Sequence, residues 1–86
     1  MPRYLVELYM SRMGAGCLPQ AGARARAGAE ALAREGTPVR YVRSFFVPKD
    51  ETWFLIYEGP SSAAVEAAAN AGGIPFERVA ELITKP

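Results

Sequence analysis

An α+β fold of order βαββαβ is predicted by three observations. Apolar residues alternate from Arg3 to Met10, two alanine-rich stretches end in glycine and proline, and the segment Val39 to Glu58 reads as a hairpin holding six of the nine aromatic residues. Together they place two helices on one face of a four-stranded antiparallel sheet and leave the other face without a cover in a single chain.

The first strand puts Tyr4, Val6 and Leu8 on one side and Leu5, Glu7 and Tyr9 on the other. A connection, Ser11 to Cys17, carries Gly14 and Gly16, whose backbone freedom suits a turn. A helix follows from Leu18 or Pro19 to Glu35, with Leu18, Ala21, Ala25, Ala29 and Leu32 as a narrow apolar stripe. Small side chains there imply close approach to the sheet, whereas Gly22 and Gly28 weaken the helix in isolation. Gly36 ends it and Pro38 prevents its resumption.

In the hairpin, Pro48-Lys-Asp-Glu51 supplies turn chemistry between Val39–Val47 and Thr52–Tyr57. A turn centred on Lys49-Asp50 opposes Phe46 to Trp53, Phe45 to Phe54, Arg43 to Ile56 and Tyr41 to Glu58. One face then carries Val42, Ser44, Phe46, Trp53, Leu55 and Tyr57. The other carries Tyr41, Arg43, Phe45, Phe54, Ile56 and Glu58. Neither is simply polar, so both need covering. Beyond Gly59-Pro60, a serine of Ser61-Ser62 caps a second helix, Ala63 to Ala71, whose buried stripe is Ala64, Val65 and Ala68. Gly72-Gly73 and Pro75 stop it. In Glu77 to Thr84, Val79, Leu82 and Ile83 fit helical spacing as well as alternation, so the residues alone leave helix and strand open.

Eighty-six residues make one domain, near the size at which one core is barely sufficient and self-association is a common remedy. With 50% apolar residues, 22% charged and a net charge of +1, the composition is globular and gives no reason to expect a polyanion. Arg24, Arg26, Arg34, Arg40 and Arg43 read as solvated surface, and the sheet has no basic-aromatic ribonucleoprotein motif. One cysteine rules out an internal disulfide framework and suits a reducing cytoplasm. No signal peptide and no membrane-length apolar run is seen, so a soluble intracellular protein is expected. Histidine is absent, which removes the commonest catalytic base and the commonest transition-metal ligand.

Local motifs add little chemistry. Gly14-Ala-Gly16 lacks both a third glycine and the P-loop lysine, so phosphate binding is not expected. Cys17 has no histidine to activate it and reads as an incidental thiol, and Ser44, with no base partner, as a packed strand serine.

Several segments carry a family resemblance: Met1-Pro-Arg-Tyr-Leu-Val-Glu7, Tyr41-Val-Arg-Ser-Phe45, Tyr57-Glu-Gly-Pro60, and Ala71-Gly-Gly-Ile-Pro75 with Arg78-Val-Ala-Glu81. They resemble a bacterial family of unknown general function whose described member is a small nickel-binding protein with a ferredoxin-like fold that associates as a dimer. The resemblance implies that fold here, a strand for the last segment, a homodimer formed through the open sheet face, and nickel as a candidate cofactor. It also implies metal-ligand positions at Glu7 and Glu81. Family members often carry histidine where this chain has Arg43 and Ala68, and nickel prefers imidazole and thiolate to carboxylate alone.

With a last strand that alternates as the family implies, Glu7, Glu58 and Glu81 share the open face with Tyr9, Tyr41, Arg43, Phe45 and Phe54. Three carboxylates, an arginine and aromatic walls suit a small-molecule pocket. Alternatively, Arg43 neutralises the glutamates at an interface. The expected function is a dimeric cytoplasmic binding protein with a ligand or nickel-type site on that face. The alternative is a cofactor-independent dimeric α+β-barrel enzyme of isomerase, cyclase or monooxygenase type. In that case clustering raises the glutamate pKa values, Glu7 is the acid or base, and Arg43 holds an oxyanion. No nucleic-acid or membrane partner is expected.

Overall fold

The computed structural model describes residues 1–10 and 18–83. The connection with Gly14, Gly16 and Cys17 lies outside the described residues, as does the side chain of Leu18. The order is β1 (Arg3–Tyr9), α1 (Leu18–Arg34), β2 (Arg40–Val47), a 3-10 turn (Pro48–Asp50), β3 (Thr52–Glu58), α2 (Ser62–Ala71) and β4 (Arg78–Leu82). The sheet runs β2-β3-β1-β4 with every neighbouring pair antiparallel. This is the expected βαββαβ arrangement, and the last segment is a strand.

The period-two patterns of β1 and β3 decide which face meets the helices. Tyr4, Val6 and Leu8 are buried with Trp53, Leu55 and Tyr57 of β3. Ala21, Ala25 and Ala29 of α1 and Val65, Ala68 and Ala69 of α2 close over them, joined by Val39 and Ile74. Alanine is the right size for this layer because it lets helix backbones approach closely without rotamer entropy to lose. α2 starts where the Ser61 side chain accepts from the Ala64 backbone N–H at 3.2 Å, satisfying one of the helix's free donors.

Close approach is greatest between the helices rather than between α1 and the sheet. A Cβ on Gly28 would lie 2.5 Å from both the Ala68 carbonyl oxygen and the Gly72 nitrogen, and one on Gly72 would lie 2.5 Å from the Arg24 carbonyl oxygen. Gly28 is therefore required by the helix pairing, a role its helix propensity conceals.

Among the described residues, two buried polar atoms find no hydrogen-bond partner: Trp53 Nε1 and Tyr57 Oη. Burial, and secondarily the nearby Tyr41, pushes the Tyr57 phenol well above its ordinary value. The neutral form is thus favoured on folding, and the folded pKa exceeds the unfolded one. Stability from this shift is complete below the unfolded pKa of about 10 and falls as pH rises beyond it. Tyr57→Phe should raise stability at neutral pH by about 1 kcal/mol, by removing an unpaired buried hydroxyl, and should flatten the alkaline decline. Urea denaturation at neutral and alkaline pH checks both effects; a loss of stability at neutral pH would mean that the hydroxyl is satisfied.

Candidate functional site

The sheet surface away from the helices is built from the odd residues of β1, the even residues of β3, and whatever β2 and β4 place opposite them. The centre is apolar. Leu5 pairs with Ile56, and the rings of Phe45 and Phe54 stack with centroids 5.2 Å apart and planes 24° from parallel. Phe45 is 45% exposed, and Tyr9 at the end of β1 is 57% exposed.

Charged pairs flank this centre. Glu58 accepts from Arg3 Nε at 3.0 Å and from Arg40 Nη2 at 2.8 Å. Hydrogen bonds from Arg40 and then Arg3 hold its carboxyl below the usual glutamate range, outweighing the opposing effect of burial. Glu7 pairs with Arg78 Nε at 2.6 Å. Beside it, the Glu77 backbone N–H donates to the Glu7 carbonyl oxygen at 2.8 Å, and the Tyr9 backbone N–H donates to the Glu77 carboxylate.

Two sequence-derived placements are corrected. Tyr41 does not lie opposite Glu58. The hairpin register holds from Val47 back to Arg43, but Val42 is an extra residue between two paired positions, so Tyr41 pairs with Tyr57 and Arg40 with Glu58. One inserted residue turns the strand over, sending Tyr41 to the helix side. There its ring meets that of Tyr57 edge-on at 5.6 Å and its hydroxyl donates to Ser44 Oγ at 2.8 Å. Glu81 is also on the helix side, because it pairs with Tyr4, whereas Arg78, Ala80 and Leu82 take the outer positions opposite Glu7, Leu5 and Arg3.

The outer face therefore brings together Glu7, Tyr9, Arg43, Phe45, Phe54 and Glu58 without making a carboxylate cluster. Glu58 lies opposite Arg3, four residues from Glu7 along β1, which is roughly 13 Å at strand spacing. Glu58 is lowered by its arginines, the opposite of what clustering would do to it. Arg43 is exposed and makes no ion pair among the described residues, so it is not the neutralising cation. That role belongs to Arg3, Arg40 and Arg78, which sequence reasoning missed. Arg78 was identifiable from the strand alternative for the last segment, but Arg40 depended on an unforeseen bulge.

A nickel ion does not fit this donor set. Among the described residues no three of His, Cys, Asp and Glu come together, the chain has no histidine, and Glu7 and Glu58 are already engaged by arginines. Carboxylates held by guanidinium groups are poor competitors for a metal that prefers nitrogen and sulfur. No helix among the described residues is long and apolar enough to cross a membrane.

Comparison with known proteins gives two matches. The family model described as nickel responsive protein SCO4226-like matches residues 11–82, a segment that begins after β1 and so omits Glu7. The crystal structure of SCO4226 from Streptomyces coelicolor A3(2) is similar with a TM-score of 0.75 at 18% identity, covering 98% of this chain and 99% of that one. At that identity the likeness speaks for the fold alone. No curated protein matches the sequence.

Proposed function

Because the chain belongs to the SCO4226-like family of nickel responsive proteins, we propose that it is a small cytoplasmic binding protein that pairs with a second copy through its outer sheet face. A ligand is then held between the two sheets. The observation that carries this reading is the stacked, partly exposed Phe45–Phe54 pair on a face whose glutamates are each matched by arginines, with only Arg43 left without an ion pair among the described residues. An apolar centre inside a rim of satisfied ion pairs is the anatomy of an interface. A two-fold axis across this face brings the same rings and carboxylates from both copies around one cavity. The single cysteine accords with a reducing compartment.

The family's metal does not carry over easily. Nickel would need imidazole or thiolate donors, and neither copy brings a histidine. The ligand we favour is organic and apolar, with Arg43 and Tyr9 at its edge. Glu7 and Glu58 are both paired with arginine, which disfavours the enzyme alternative's use of Glu7 as an acid or base.

Sedimentation equilibrium over a dilution series should give twice the chain mass at micromolar concentration. Calorimetry with untagged protein should show no saturable heat on adding nickel. A monomer at every concentration would overturn the pairing, and a stoichiometric nickel signal would overturn the preference for an organic ligand.

A further inference from the structure

A second cavity opens on the opposite side of the sheet, between the start of α1 and the edge strand β2. It has a volume of about 450 Å³ and is lined by Gly22, Arg26, Tyr41, Ser44, Phe45 and Trp53, together with Ala23. That size falls within the range of small-molecule clefts, about 300–1,000 Å³. Trp53, 1% exposed, is its deepest wall. We infer that this cleft binds a small organic carboxylate with an apolar body, with Arg26 and Ser44 holding the carboxylate and the body resting against Tyr41 and Trp53.

The polarity of the lining points that way. Arg26 sits over the Tyr41 ring, its guanidinium carbon 5.6 Å from the centroid, and makes no ion pair among the described residues. Its five donors are therefore available to an oxyanion. Because Tyr41 donates its hydroxyl proton to Ser44 Oγ, the proton of Ser44 is free to be donated onward. The Trp53 indole N–H is buried and finds no acceptor among the described residues, so Trp53 offers the cleft its ring and not a donor. No acidic residue lines the cleft. Two kinds of donor, the Arg26 guanidinium and the Ser44 hydroxyl, with no carboxylate beside them make a site for an acceptor carrying negative charge.

The small residue at position 22 keeps the cleft open. The bulge at Val42 supplies its tyrosine.

Trp53 is the only tryptophan in the chain, so its emission and its single indole N–H resonance report on the inner wall of this cleft and the core behind it. Benzoate is the probe and benzamide its uncharged counterpart. Benzoate should change the emission saturably with a dissociation constant below about 1 mM, and benzamide should bind at least about tenfold more weakly. Arg26→Gln, a change at an exposed helix position, should weaken benzoate by about tenfold or more. Gly22→Leu, which fills the cleft, should abolish the response. The indole resonance should shift as the ring of the probe comes to rest against Trp53.

Equal binding of the two probes would overturn the inference. So would unchanged benzoate affinity in Arg26→Gln, or no saturable signal by about 20 mM. Phe45 borders both the cleft and the outer face, so the titration is repeated on Phe54→Asp, where benzoate affinity should match the parent; loss of binding there would overturn the cleft as a site of the single chain.

Discussion

Gly28→Ala should destabilise the protein by about 2 kcal/mol or more, although alanine is the better helix former by about 1 kcal/mol. The new Cβ would meet the Ala68 carbonyl oxygen and the Gly72 nitrogen at 2.5 Å and the Gly72 Cα at 2.8 Å. All three are backbone atoms, so no side chain can rotate away. The helices must move apart, loosening the alanine layer over Leu55 and Trp53. Gly22→Ala is the internal control, because its Cβ would meet only the Tyr41 hydroxyl, at an ordinary 3.5 Å. That change should be neutral or stabilising by up to about 1 kcal/mol. Denaturant midpoints for the two variants decide the matter: if both stabilise, helix propensity governs at position 28 and the tight crossing does not.

Phe54→Asp should weaken self-association by about two orders of magnitude or more, since it places a charge at the centre of the proposed contact. Phe54 lies on an inner strand, stacked on Phe45 and facing away from the core. The monomer therefore keeps its inner layer of Leu55, Trp53 and Tyr57. Sedimentation should show the single-chain mass at concentrations where the parent is double, with an unchanged far-ultraviolet circular dichroism spectrum. An undiminished dimer in this variant would locate the contact elsewhere.

The fold was largely legible because its signals are local. Alternation in β1, the capping serine at position 61, the turn at Pro48–Glu51 and the two alanine stripes each depend on a few neighbouring residues. The site was less legible because it depends on register. Opposing Phe45 to Phe54 and Arg43 to Ile56 required only the turn, and both pairings are present. Placing Tyr41 and Arg40 required knowledge of an irregularity at Val42, which has no distinctive residue type. Glu81 was misplaced for a related reason: the phase of β4 against β1 is set by tertiary pairing, and its alternation alone does not say which half faces outward. Gly28 was misread as a weakness because propensity describes an isolated helix, whereas its value arises from a partner distant in sequence.

The irregularity at Val42 gives one short edge strand two allegiances. Residues after it furnish rings to the exterior of the sheet, and the tyrosine before it furnishes a wall to the hollow under the first helix. Losing or gaining a single codon there would exchange Tyr41 and Arg40 between these surfaces, so each surface limits the length variation that the other can accept.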